Sequence, residues 1–418
     1  MECPVGRESG WGSVQTGSAP KIVPVDTEPS RQAKTAKIVL YSHDTFGLGN
    51  IRRTLLLADA LKEEYPNAAI LIVTGSPVIH DFRIPEGVDY VKLPCVDRLG
   101  PDQYQPRFLS SLTAEVAHVR RAVLKHTVLG FAPDLMIVDK RAGGVDGELV
   151  ETLEALRSQA RSTKVVLGVR DILDEPRRTR ASLARGKFTT LVERYYDEVW
   201  IYGDASVFDA VAAYGFSEAI ARKSVFCGYL KRPCVAITRR EGPPRILVTT
   251  GGGGDGSELI EAYLQGLSRL PRCTVLQTTV VFGPQMPAVR RAAILERFGA
   301  MSDVTFVEFE PDLVHRYATA DVVVAMAGYG TVCDLLSLGR KAVLVPRAHP
   351  VREQLLRARL LTARGYFHSI EPHKLTGDRL MAAVLSTLDQ VHRDPSDVSL
   401  DGLSTVRSRV RRLLQDLP

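Results

Sequence analysis

The chain has 418 residues, more than a single hydrophobic core organises, so two domains are expected. Hydrophobic residues make up 45% and charged residues 24%, the balance of a soluble globular protein, and no apolar run reaches the ~18–20 residues that span a bilayer. The formal net charge of +6 suits anionic ligands, but no nucleic-acid-binding motif accompanies it, so neither nucleic acid nor integral membrane contact is expected.

Residues 1–34 are rich in Gly, Pro, Ser and Thr, lack apolar periodicity and read as a disordered tail. They hold no continuous apolar segment of a secretory signal, so the expected location is cytoplasmic. Order begins at Lys37. Residues 38–42 are an apolar run of strand length, followed by a polar loop containing Gly47 and Gly49. Residues 51–64 read as a helix through Leu55, Leu56, Leu57, Ala60 and Leu61, and 69–73 as a second buried strand. Strand, glycine turn, helix, strand is the unit from which parallel sheets are built. The alternation continues with strands at 89–93, 133–139, 164–169, 198–202 and 224–227 and helices at 109–129 and 148–160. A domain over 35–232 is expected, then a linker at 233–244 containing Pro233, Gly242, Pro243 and Pro244.

A second series starts with a strand at 245–250, a glycine loop, and a helix at 257–267 for which Ser257 is the expected N-cap. Strands follow at 274–282, 304–309, 321–325 and 342–345. The second domain is expected to span 245–394, with a C-terminal helix in 395–418 packing back on the first. The fold class is therefore α/β, with two Rossmann-like doubly wound domains facing a cleft.

Three segments carry candidate chemistry. Gly251, Gly252, Gly253 and Gly254 stand between a strand and a helix, where missing Cβ atoms let backbone amides approach an anion and the helix N-terminus adds its dipole. The spacing is neither a Walker loop nor a regular Gly-x-Gly-x-x-Gly fingerprint; a plain flexible connection is the alternative. Gly328, Gly330 and Thr331 open a second helix after a strand, and Asp334, one turn in, can accept from vicinal ribose hydroxyls, or be an ordinary first-turn acid. Glu353, Gln354 and Arg357 lie early in a helix expected to begin near Pro350, placed to meet a sugar or phosphate or simply solvated. The six cysteines, at 3, 95, 227, 234, 273 and 333, have no zinc spacing, so reduced thiols and no metal site are expected.

Together these motifs resemble GT-B glycosyltransferases related to the peptidoglycan enzyme that adds N-acetylglucosamine to a lipid-linked muramyl peptide. The likeness runs from about Ile38 to about Arg364. It also extends to bacterial glycosyltransferases with a Ser-His-Asp start and a Gly-Leu-Gly-His loop, here Ser42-His43-Asp44 and Gly47-Leu48-Gly49-Asn50. The resemblance implies a nucleotide-diphosphate sugar donor (uridine by default, guanosine or thymidine as alternatives), metal-independent inverting transfer, and no cofactor. It places Gly251 to Gly254 on the diphosphate, Phe309 near the base, Gly330 and Thr331 at phosphate, Asp334 on the ribose, Gln354 on the sugar and Arg232 on phosphate. Arg357 stands where the family has Asn, which points away from N-acetylglucosamine. Asn50 replaces the family's His and cannot take a proton. His43 and Asp44 are then the expected bases, with Asp139 and Asp171 as further candidates. Gly47, Gly49, Asp139, Arg170 and Asp171 are expected on the acceptor side.

The loops at 94–108 and 171–187 carry no readable motif. The arginines of the second suit an anionic acceptor or phospholipid surface, or are solvated. Lack of an amphipathic apolar face favours a small natural-product acceptor with an O, S or N nucleophile. A thiol, ionising near ~8.5, would need little help from a base. The alternatives are a nucleotide-sugar 2-epimerase and a catalytically inactive nucleotide-sugar-binding protein.

Overall fold

Parallel strands with apolar residues on both faces need helices above and below, and both halves of this chain meet that need. A computed structural model describes residues 35–44, 48–100, 103–159, 163–185, 187–232, 242–271, 273–310 and 313–415. The expected tail, residues 233–241 of the expected linker, and Gly47 lie outside the described residues.

The first half begins with β1 (Lys37–Ser42), α1 (Gly49–Glu64), β2 (Ala69–Thr74) and β3 (Val88–Lys92). A hairpin of β4 (Val96–Gly100) and β5 (Gln103–Pro106) follows, then α2 (Thr113–Phe131), β6 (Leu135–Asp139), α3 (Val150–Ser158) and β7 (Lys164–Arg170). It closes with α4 (Pro176–Arg185), α5 (Phe188–Tyr195), β8 (Glu198–Tyr202), α6 (Ala210–Tyr214), α7 (Glu218–Lys223) and β9 (Ser224–Phe226). Seven strands form one sheet in the order β3-β2-β1-β6-β7-β8-β9. Every β6 residue is buried, which a strand of Leu, Met, Ile and Val tolerates and a one-sided strand would not.

The second half contains β10 (Arg245–Thr249), α8 (Ser257–Leu267), β11 (Gln277–Val281), α9 (Ala288–Phe298), β12 (Val304–Val307) and α10 (Leu313–Thr319). Then come β13 (Val322–Ala325), α11 (Tyr329–Ser337), β14 (Ala342–Leu344), α12 (Glu353–Ala363), β15 (His368–Ser369) and α13 (Gly377–Asp389). Its six strands run β12-β11-β10-β13-β14-β15, all parallel.

The last helix, α14 (Gly402–Gln415), returns to the first half. Val406 and Val410 are fully buried in one apolar cluster with Ile51, Leu55 and Leu61 of α1. Each such side chain contributes about 1.5–3 kcal/mol of burial. Polar contacts fix the register: Arg407 donates to the Ala60 carbonyl at 3.0 Å, while Arg409 and Arg412 close on Glu198 at 2.5 and 2.8 Å.

Local expectations needed correction in several places. The 94–108 loop contains the β4–β5 hairpin, and 171–187 contains helix α4. Gly256, at φ +97°, is the N-cap of α8 and Ser257 its first helical residue. Helix α12 starts at Glu353, three residues after Pro350.

Candidate functional site

In an open parallel sheet, ligands bind beyond the carboxyl ends of the strands where the order reverses. Both sheets reverse next to their first strand. In the first sheet β1 lies between β2 and β6; in the second, β10 lies between β11 and β13. The loops after β1 and β6, and those after β10 and β13, border a single cavity of about 1100 Å³.

The second half supplies Gly251, Gly252, Gly254, Gly328, Gly330 and Thr331 to its wall. Gly251 has φ +73°, in the left-handed region that only glycine enters without strain. Gly253 has a different task and does not line the cavity: at φ +86°, a Cβ there would stand 2.5 Å from the Phe282 carbonyl oxygen. Its missing side chain lets the loop pack on the β11 end. Helix α11 has Gly328 as N-cap and no side-chain cap among the described residues, so its first-turn amides remain available to an anion, with the helix dipole behind them.

Arg232, Asp334, Glu353 and Gln354 also reach this wall. Arg232 Nε lies 3.3 Å from Asp334 Oδ1, bringing together residues 102 apart in sequence. Gln354 accepts from the Arg347 amide at 3.3 Å. Burial alone would raise the Glu353 carboxyl, but Arg170, Arg347 and Arg357 outweigh it and hold the group below its ordinary range. Arg170 and Arg347 stand 3.6 and 3.0 Å from Glu353. Glu353 thus serves as a counter-ion fixing two arginines more than as a free sugar ligand. Arg347, which also reaches Asp255 at 3.2 Å, escaped sequence reasoning; its place three residues beyond the end of β14 was the available signal.

Four expected site residues occupy other places. Arg357 faces neither sugar nor phosphate: it is fully buried, donates to Asp171 at 2.8 and 2.7 Å, and donates to the Ala327 carbonyl at 2.9 Å. Asp171 is consequently a structural counter-ion, not a free acceptor ligand or base. Asp139 is likewise held, by Arg53 at 2.6 Å. Phe309 is half-buried and does not line the cavity.

The Arg357–Asp171 pair joins the halves, and Arg53 reaches across from the first. Tyr329 of α11 lies under both guanidinium groups, with Arg53 at 5.7 Å and Arg357 at 5.9 Å from its ring centroid. Tyr229 stacks on it at 6.2 Å and donates to Asp171 at 3.3 Å. At the other side, the Arg352 amide donates to Asp174 at 2.8 Å and its guanidinium pairs with Glu175 at 2.6 Å.

The first-loop residues divide. Gly49 and Asn50 line the cavity, as does Arg170; His43 and Asp44 are buried behind its wall. Asn50 donates to the His43 carbonyl and accepts from Arg53 at 3.0 Å, so both ends of its amide are engaged. Asp44 accepts from Thr74 at 2.5 Å, and burial pushes its carboxyl up to about 6. Neither His43 ring nitrogen has a partner among the described residues, and burial holds this imidazole well below its ordinary range, with Lys140, Arg141, Arg120 and Arg98 adding to the effect. As bases acting directly on a ligand, His43 and Asp44 are misplaced.

Cationic side chains outnumber carboxylates along the described lining by eleven to five. Lys140, Arg141 and Arg98 contribute to this on the first-half side. Apolar surface from Leu173, Leu183, Phe188 and Leu191 completes that side.

Residues 245–399 match the glycosyltransferase family 28 C-terminal domain. The UDP-N-acetylglucosamine--N-acetylmuramyl-(pentapeptide) pyrophosphoryl-undecaprenol N-acetylglucosamine transferase of Mannheimia succiniciproducens is 30% identical over 156 residues, 37% of this chain and 42% of that relative. The match therefore spans about two-fifths of the relative's length. Among solved structures, MurG of Acinetobacter baumannii superposes with a TM-score of 0.55 at 15% identity, covering 90% of this chain and 99% of that one. A UDP-glucosyltransferase from Polygonum tinctorium capable of glucosylating indoxyl gives 0.60 at 13% identity, covering 92% and 100%. The fold is GT-B, and the C-terminal segment is similar in sequence to peptidoglycan N-acetylglucosaminyltransferases.

Proposed function

We propose, from that similarity of the C-terminal segment and the GT-B fold, that this chain is a glycosyltransferase taking its sugar from a nucleotide diphosphate. The observation that carries the reading is the pairing of two glycine-built loops, at Gly251–Gly254 and Gly328–Thr331, on the two strands flanking the reversal of the second sheet. The diphosphate lies against these amides and the α11 N-terminus. As the bond to the anomeric carbon breaks, the leaving diphosphate gains negative charge, and Arg232 with the helix dipole stabilises it. Asp334, oriented by Arg232, accepts from the ribose hydroxyls, and Gln354 contacts the sugar. The donor is a uridine diphosphate sugar in the first instance, with a guanosine diphosphate sugar the alternative. Transfer needs no metal or further cofactor and inverts the anomeric centre. The acceptor is a small molecule in the first-half lobe of the cavity, whose apolar Leu and Phe surface fits a natural-product body carrying an O, S or N nucleophile.

Calorimetric titration with uridine, guanosine and thymidine diphosphates, with and without magnesium, tests the donor site. One diphosphate binds without magnesium, and Asp334→Ala weakens it tenfold or more, as expected when a carboxylate loses two hydroxyl partners at about 1.5–3 kcal/mol for a charged hydrogen bond. Failure of all three to bind, or an unaltered affinity in the variant, overturns the assignment.

A further inference from the structure

We infer that Lys140 is the general base of this transfer, receiving the acceptor's proton, a role that the Asn50 amide cannot take. This rests on the glycosyltransferase reading above. Lys140 directly follows β6, the strand beside β1 at the reversal of the first sheet, and lines the cavity together with Asn50. Its backbone holds φ +70°, a left-handed conformation unusual for lysine, while its amide donates to the Gly168 carbonyl at 2.7 Å. Backbone strain of about 1–3 kcal/mol concentrates where surrounding structure enforces it, functional sites included.

The surroundings decide the state of the amine. Its Nζ makes no hydrogen bond or ion pair among the described residues. Arg98 approaches from β4, Arg141 from its own loop and Arg170 from the end of β7, and His43 lies on the β1 side. Guanidinium groups do not lose their protons, so a further positive charge beside these three is disfavoured, with Asp139 acting the other way. Asp139 is the acid nearby, and Arg53 already holds its Oδ1. Lys140 is half-buried in the cavity wall, and this desolvation, together with Arg170, Arg98 and Arg141, lowers its ammonium well below the ordinary lysine range. A lysine so placed gives up its proton more readily than a surface lysine, which is the direction a base requires.

In the step, the acceptor's oxygen forms a bond to the anomeric carbon as the carbon–oxygen bond to the diphosphate breaks. The acceptor's proton passes to Lys140 Nζ, and the electron pair of the broken bond leaves on the diphosphate. The ammonium then returns its proton to water, helped by the same arginines that disfavour it.

Two measurements on the full chain test this. Trace acetylation with acetic anhydride across pH, read by mass spectrometry, needs neither donor nor acceptor. Lys140 reaches its plateau of reactivity at least one pH unit below N-α-acetyl-lysine amide added to the same reaction; a plateau coinciding with that free side chain, or no reaction at all, overturns the proposal. In the second, nucleotide release from the matching sugar donor, with water as acceptor, is followed in Lys140→Met and Lys140→Arg. Both lose about 100-fold or more, the range for a positioned base, while diphosphate affinity stays within threefold. An arginine variant that keeps the wild-type rate overturns the base and makes Lys140 a fixed positive charge for an anionic acceptor. Absence of diphosphate binding in the wild type defeats the donor assignment separately, and the acetylation result still stands on its own.

Discussion

Replacing Arg357 with Met exposes what this residue does. Its guanidinium is fully buried and makes two hydrogen bonds to Asp171 and one to the Ala327 carbonyl, the residue before the Gly328 loop. Among the described residues, the substitution leaves Asp171, itself 1% exposed, with the Tyr229 hydroxyl at 3.3 Å as its hydrogen-bond donor. A buried charge stripped of its partner costs about 3–5 kcal/mol, a large part of the ~5–15 kcal/mol that holds a folded domain together. The lost bond at Ala327 strands a carbonyl as well. Asp171→Ala should cost a similar amount, since it leaves an unpaired guanidinium instead. The double variant Arg357→Met/Asp171→Leu removes both charges and should recover most of the loss, because the pair's attraction is largely offset by its desolvation. Urea unfolding read by the fluorescence of Trp200, buried in the first sheet, measures all three. Single variants within about 1 kcal/mol of wild type, or a double variant no better than the singles, would refute the structural assignment and return both residues to the list of ligand contacts.

Two further outcomes separate structural residues from functional ones. Gly330→Ala meets nothing within 4 Å, so the fold should keep its stability while diphosphate binding weakens as the methyl enters the cavity; Gly253→Ala, 2.5 Å from the Phe282 carbonyl and at φ +86°, should lower the thermal midpoint by several degrees. The reverse ranking in a melting and titration series would be incompatible with this division of the glycines. Asp44, pushed up to about 6 by burial, binds its proton more tightly folded than unfolded, so the stability this confers is full below the ordinary carboxylate range and is lost as pH rises through about 6. The loss approaches about 3 kcal/mol by neutral pH. Asp44→Asn should therefore flatten the decline between pH 4 and 7, and a pH profile identical to wild type would dismiss the buried-acid explanation.

The parallel architecture was legible because buried strands and amphipathic helices leave periodic traces: residues 257–267 read as a helix and α8 occupies them. The glycine loops were legible for the same reason, being local departures from side-chain bulk between a strand and a helix. What could not be read is what depends on long-range pairing. Hairpin β4–β5 lacks an apolar stripe of its own, and α4 is dominated by arginines, so neither differs in composition from a polar loop. Arg357 and Asp171 are 186 residues apart, and each in isolation has the chemistry of a ligand contact. Only when β7 and α12 meet does each become the other's partner.

The two departures from the family resemblance then have a common physical explanation. Arg357 stands where an amide was expected and answers a buried carboxylate from the other half. Asn50 stands where an imidazole was expected and holds the His43 carbonyl and Arg53, which in turn pairs with Asp139 and lies over Tyr329. Arg357 is built into the seam between the halves and Asn50 into the hydrogen bonds behind the first loop, so neither is free for the chemistry its position suggests. Under the proposed transfer, the base is a group that lines the cavity and is engaged in neither set of contacts. His43 and Asp44 are walled off, and Asp139 and Asp171 are paired. Lys140 satisfies both conditions: it sits one residue beyond Asp139, faces the cavity, and carries an amine whose arginine neighbours oppose its protonation.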